Sequence, residues 1–184
     1  MAARLEEPAE LDVVIGPMRR RHLRAVLRIE QQVYPRPWSL GLFMSELGFR
    51  GSRAYVVARV GSTVVGYGGV MLVADDGHVT TIAVEPAWHR RSIGTRVLHA
   101  LATAAIARGA KNLTLEVRAS NRAAQELYRA FGFAPAGVRK GYYVETNEDA
   151  IVMWANDVDT AEYAQRLDVL LAAVPGTTTH EELD

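Results

Sequence analysis

A strand that ends at a proline, a short arginine-rich loop and an amphipathic helix follow one another in residues 79–101, VTTIAVEPAWHRRSIGTRVLHAL. Val79, Ile82 and Val84 are β-formers in an apolar run, and Pro86 bars a central strand from continuing past Glu85. From Ile93 the apolar residues Ile93, Val97, Leu98 and Leu101 fall at helical spacing. The loop between, His89 to Gly94, therefore enters a helix start. Such a start presents unpaired N–H groups and partial positive charge. Arg90, Arg91 and Arg96 add formal charge, and Gly94 leaves room for close approach of a backbone or ligand. This arrangement suits a phosphate. It lacks both the Gly-Lys-Ser/Thr ending of a Walker loop and the GxGxxG fingerprint. Taken alone, it fits a basic surface turn about equally well.

The rest of the chain narrows the choice. With 184 residues and ordinary apolar and charged content, one domain with a sizeable core is expected. Formal net charge is zero, so the basic loop is a local feature and no nucleic-acid-binding surface is expected. There is no cysteine, which excludes disulfides, Cys-based metal sites and a cysteine acyl-enzyme. The five histidines show no metal-ligand spacing, so no metal is expected. The start, MAARLEEPAELD, is not a secretory signal and no stretch suggests a membrane span, which together predict a cytoplasmic protein.

Residues 1–11 read as a flexible tail and Asp12–Ile15 as a first strand. A helix is predicted from about Met18 to Gln32, broken by Tyr34-Pro35-Arg36-Pro37-Trp38-Ser39. Ser39 can cap a short second helix. Residues 54–60 and 63–73 read as a hairpin turning at Gly61-Ser62, with a turn at Asp75-Asp76-Gly77 leading into the strand 79–84. A helix over 92–108 is followed by the strand Asn112–Val117, expected to run parallel to 79–84 because a crossover helix separates them. Ser120 or Asn121 caps a helix to Ala130, and residues 138–145 and 150–155 form a last hairpin. The order β α α βββ α β α ββ predicts a mixed α/β sheet. Residues 159–174 read as an amphipathic helix and the remaining PGTTTHEELD as disordered.

Three segments, VEPAWHRRSIGT, NRAAQELYRAFGF and EDAIVMW, together with this element order, resemble the GNAT N-acetyltransferase superfamily over roughly residues 13–156. LEVRASN (115–121), LYRAFGF, GYY and PWS (37–39) resemble more narrowly the RimI family, which acetylates the amino-terminal alanine of ribosomal protein S18. The resemblance implies an α/β (α+β) GNAT fold at 12–157, with about seven strands in a mixed central sheet and about four flanking helices. Residues 158–184 would add a C-terminal helix and a disordered tail. It also implies acetyl-CoA as donor. The backbone of Ile82, Ala83 and Val84 would hold the pantetheine arm and acetyl carbonyl. Arg90, Arg91, Ser92, Ile93, Gly94 and Thr95 would wrap the pyrophosphate, and Asn121 would meet the thioester end. The loop departs from the family pattern, with His89 and Ser92 at positions usually held by Gln/Arg and Gly. If residue 92 needs a positive φ, serine costs about 1 kcal/mol or somewhat more, which predicts weakened acetyl-CoA binding.

By the same resemblance Glu116 is the proton acceptor and Tyr128 the proton donor to the leaving thiolate. On residue type alone, Glu116 reads rather as a polar strand residue bonded to Arg118, and Tyr128 as a core aromatic; the resemblance decides for the catalytic roles. An N-terminal amine has a pKa of about 7.7–8.0 against about 10.4 for lysine, so part of it is already neutral and a modest base suffices. Trp38, Tyr142 and Tyr143 are candidates for shaping the acceptor pocket, and Asp76 and Glu145 for attracting a cationic amino end. The function implied is transfer of acetyl to a protein N-terminal α-amine, with S18 as partner. The alternatives are an acetyltransferase for lysine or a small amine, and a low-turnover acetyl-CoA-binding module.

Overall fold

The computed structural model describes residues 10–183. In chain order its elements are β1 (Leu11–Pro17), α1 (Leu23–Val33, entered through a 3₁₀ turn at Arg20–His22), α2 (Leu40–Gly48), β2 (Arg53–Val60), β3 (Thr63–Val73), β4 (Asp76–Val84), α3 (Ile93–Ala107), β5 (Asn112–Arg118), α4 (Arg122–Ala130), β6 (Ala134–Tyr143), β7 (Glu148–Ala155), α5 (Ala161–Ala172) and β8 (Gly176–His180). The strands form one mixed sheet in the order β6-β7-β5-β4-β3-β2-β1-β8. The first helix begins later than its apolar pattern suggests, because the Met18 N–H still donates to the Tyr55 carbonyl (2.8 Å) and prolongs the β1–β2 ladder. Ser39 caps α2 as expected, its hydroxyl accepting from the Leu42 N–H.

Strand alternation supplies two cores, one per face. Val56 and Ala58 of β2 join Val97, Leu98 and Leu101 of α3, Leu113 and Leu115 of β5, and Tyr163 and Leu167 of α5. Their neighbours Tyr55 and Val57 join Val26 and Ile29 of α1 and Phe43 of α2. The seat of α3 depends on Gly66 and Gly68 in β3. A Cβ at Gly68 would stand 2.8 Å from both Val97 and Leu101, and one at Gly66 2.9 Å from Ile93. The amphipathic face of α5 is spent on this core, and the Tyr163 hydroxyl donates to the Phe131 carbonyl (2.8 Å).

The sheet splits at its centre. β4 pairs with β3 along its length, with an irregularity where Gly69 pairs Thr81 and Val70 pairs Val79, which leaves Thr80 as the extra residue. β4 pairs with β5, in parallel as expected, only over Asp76–His78 against Asn112–Thr114. A bulge bends its strand, and past His78 the two strands have no pairing. The cleft opens there.

Two expectations about the ends are corrected. The sheet has eight strands where about seven were expected, because Gly176–His180, within the stretch expected to be disordered, form β8, parallel to β1. Low apolar content suggested disorder, but this strand is held by a backbone ladder on the open edge of β1 and by polar clasps such as Thr177 Oγ1 to Asp12 Oδ1 (2.6 Å). The expected tail, residues 1–11, lies mostly outside the described residues, and Leu11 already belongs to β1. No helix among the described residues is long and apolar enough to cross a membrane.

Candidate active site

The cleft has a volume of about 970 Å³ and reaches from the α1–α2 connection, across the split of β4 and β5, to the start of α3. It is lined by Trp38, Ile82, Ala83, Val84, Arg90, Ser92, Ile93, Gly94, Thr95, Glu116, Asn121, Tyr128, Tyr142, Tyr143 and Glu145, so most residues singled out from sequence converge there. Two do not line it. The Arg91 guanidinium turns onto the Trp88 ring (5.1 Å). Asp76 sits at the paired end of β4, accepting a hydrogen bond from the Asn112 amide (3.0 Å), which removes it as an attractor of an amino end.

Glu116 projects from β5 on the face opposite the buried Leu115 and Val117. Its Oε2 lies 2.6 Å from His78 Nε2, which donates when it carries the proton. Its Oε1 lies 3.4 Å from Arg139 Nη2. The side chain is 13% exposed, enough to meet a ligand in the cleft. The Arg118 contact of the alternative, non-catalytic reading is not formed: Arg118 instead donates to Glu145 (2.9 Å) and Thr146 (2.8 Å) and stacks on Tyr143 at 3.9 Å. Glu145 is held below the usual carboxylate range by its own backbone N–H and by Arg118.

Tyr128 lies two turns along α4 from its Asn121 cap, whose Oδ1 accepts from the Ala124 N–H (3.1 Å). The Tyr128 ring packs on Phe133 (5.9 Å), and its hydroxyl makes no hydrogen bond to the described residues. Burial, with smaller contributions from Tyr34 and Tyr143, pushes the phenol well above its ordinary value. It therefore stays protonated and keeps a hydrogen to donate.

At the other end of the cleft, Arg90 (φ 62) and Ser92 (φ 58) are both left-handed. Alternation of this kind turns successive N–H groups inward and makes an anion-binding concavity at a helix start. Serine occupies the strained region that its position raised, without a side-chain cap. Gly94 lets α4 approach, since a Cβ there would stand 3.3 Å from Leu127. His89 Nε2 lies 2.9 Å from the Val84 carbonyl and ties the loop back to β4. The left-handed loop, the adjoining cleft and the unpaired stretch of β4 past His78 lie side by side. Among the described residues no cluster of three His, Asp or Glu is placed to hold a metal.

Four contributors escaped the sequence reading. Tyr34 reaches across to donate to the Ile82 carbonyl at 2.6 Å. Glu30, buried, accepts from the Trp38 N–H (2.9 Å) and the Tyr67 hydroxyl, fixing the wall that carries Trp38. Burial raises its carboxyl, partly offset by the Trp38 N–H. His78 and Arg139 hold Glu116. A carboxylate four residues after Val26, on the buried stripe of α1, was a usable signal for Glu30. Nothing local marked His78, whose role follows from the pairing of β4 with β5.

A model of the acetyltransferase (GNAT) family matches residues 23–133. The N-alpha-acetyltransferase RimI of Mycobacterium tuberculosis is 37% identical over 147 residues, 77% of this chain and 90% of that protein. The ribosomal protein bS18-alanine N-acetyltransferase of Escherichia coli K12 is 36% identical over 133 residues, covering 71% and 88%. The crystal structure of the ribosomal-protein-S18-alanine N-acetyltransferase from Escherichia coli superposes with a TM-score of 0.72 at 33% identity, covering 79% of this chain and 94% of that one. On the family match, these relatives and the shared fold, the chain belongs to the acetyltransferase (GNAT) family.

Proposed function

We propose that this chain moves the acetyl group of acetyl-CoA to the N-terminal α-amine of a protein, and that the acceptor is the terminal alanine of ribosomal protein S18. The observation that carries the reading is that Glu116, held by His78 and Arg139, and the unpartnered hydroxyl of Tyr128 line one cleft that ends at the left-handed basic loop. The names of the relatives support the acceptor.

The N–H groups of residues 90–95 hold the pyrophosphate, and the open edge of β4 orients the pantetheine arm. The acceptor enters between Trp38 and the Tyr142–Tyr143 wall. Its neutral nitrogen attacks the thioester carbon, and Glu116 takes the amine proton directly or through water. Help of this kind is worth about 10²–10⁴-fold. The C–S bond then breaks. Because burial lifts the Tyr128 phenol above its ordinary range, complete proton transfer to a thiolate whose acid has a pKa near 8.5 is uphill. Tyr128 therefore serves as hydrogen-bond donor to the sulfur as charge develops, and the released thiolate takes its proton from water.

Two hexapeptides test the acceptor. One begins Ala-Arg-Tyr with a free amino end, and the other has that end blocked and an internal lysine. Turnover of the first alone is expected. Turnover of the second alone would overturn the N-terminal reading.

A further inference from the structure

The largest fully buried side chain among the described residues is a charged one, Arg96, in the first turn of α3. It does not face the cleft. Its Nη1 donates to the Arg91 carbonyl (3.0 Å), its Nη2 to the Pro175 carbonyl (2.6 Å) and its Nε to Thr178 Oγ1 (2.9 Å). One guanidinium thus joins the loop at residues 89–94 to the C-terminal strand β8. All three acceptors are uncharged, and no carboxylate stands within ion-pair distance of Arg96 among the described residues. Its positive charge is therefore left uncancelled directly behind the loop, in a medium of low dielectric.

The loop has reason to need such a support. Arg91, whose carbonyl Arg96 grips, lies between the two left-handed residues Arg90 and Ser92. Non-glycine residues persist in that region only when their surroundings hold them there. β8 is itself anchored elsewhere, by its ladder to β1, by Thr177 on Asp12 and by the Glu181 N–H on the Ile15 carbonyl (2.8 Å). The acceptors on the far side of the brace, Pro175 and Thr178, lie beyond residue 133, where the family match ends.

We propose that Arg96 and the C-terminal strand form a brace that holds residues 90–92 in their anion-binding shape, so that affinity for acetyl-CoA is set from the C-terminus of the chain. Arg96 is a positioning residue, acting through the Arg91 carbonyl and never touching the ligand. The proposal rests on reading the loop as the pyrophosphate site.

The test measures acetyl-CoA affinity by calorimetry, together with acetyl-CoA KM and kcat on the free-amino-end peptide, in four full-length variants. Thr178→Val removes one bond and leaves the charge. Arg96→Met removes the fork and the charge, and Arg96→Lys keeps the charge without the fork. Thr177→Val disturbs β8 on the Asp12 side only. Acetyl-CoA binding is expected to weaken about 10–100-fold in Arg96→Met and a few-fold in Thr178→Val, with Arg96→Lys between them. At saturating acetyl-CoA, kcat stays within about twofold of wild type, and Thr177→Val, which loosens one of several anchors of β8, weakens binding no more than Thr178→Val does. Wild-type affinity in Arg96→Met or Thr178→Val would overturn the brace. Should Arg96→Met fail to fold, Thr178→Val decides alone. A wild-type chain that does not bind acetyl-CoA would instead overturn the loop reading beneath the proposal.

Discussion

Two side chains in the cleft owe their chemistry to neighbours distant in sequence. Glu116 is oriented by His78, 38 residues away, and by Arg139 on the neighbouring hairpin. Losing a charge-assisted hydrogen bond at a reacting group costs about tenfold, so His78→Gln is expected to lower kcat by roughly that factor while leaving acetyl-CoA affinity intact. Steady-state kinetics would show it, and an unchanged kcat would remove His78 from the assembly. Tyr128 behaves oppositely to an exposed phenol. Burial raises its pKa, so its neutral, donating form is retained above the pH at which free tyrosine ionises. The rate should therefore show no alkaline decline up to about pH 10 from this group. A fall near pH 9 that Tyr128→Phe abolishes would contradict this. Ser92 at φ 58 carries a conformational cost that glycine lacks, partly offset by glycine's freer unfolded chain. Ser92→Gly should stabilise by a few tenths to about 1 kcal/mol in urea unfolding and tighten acetyl-CoA binding. At this scale the sequence was informative where a motif was contiguous. LEVRASN pointed to Glu116 and the loop to Ser92, whereas the partner at His78 exists only through the pairing of β4 with β5.

At the scale of elements, the cleft follows from how α3 and β4 are seated. Gly68 gives α3 its close approach, and a methyl there would stand 2.8 Å from Val97 and Leu101. Gly68→Ala is expected to destabilise by about 1–3 kcal/mol, read from the urea midpoint, because overpacking forces the helix off the sheet. A midpoint equal to wild type would show that α3 has slack. The strand–loop–helix unit and the two hairpins were legible because apolar period and turn residues agree. β8 was not. Its threonines bury little, and its partners, Asp12 on β1 and Arg96 on α3, lie 165 and 82 residues away. Composition reports burial, and this strand is held by hydrogen bonds. Arg96 itself could have been suspected, since a charge three residues after Ile93 falls on the buried stripe of α3.

For the whole molecule, three histidines contribute to the acid response. His22, His99 and His180 are all lowered from the ordinary 6.5, each chiefly by burial. Further shifts come from Arg21, Arg59 and Arg19 against Glu181 at His22, and from His180 against Asp168 at His99. A lowered folded-state value means that the unfolded chain binds more protons below about pH 6.5, so stability is full above that pH and declines as pH falls through it. Thermal unfolding at pH 7.5 and 5.5 should show the drop. His99 and His180, with rings 5.7 Å apart, place part of it at the junction of α3 and β8. The molecule as a whole is a sheet parted at its middle, with a carboxylate on one strand, a left-handed basic loop after the other, and a helix bringing a phenol to the same opening. The direct test of that account is kcat on the Ala-Arg-Tyr peptide in Glu116→Gln, with acetyl-CoA affinity measured alongside. A fall of about 10²–10⁴-fold in kcat with affinity unchanged is predicted. A variant that keeps wild-type kcat would contradict it, for the cleft would then lack its base.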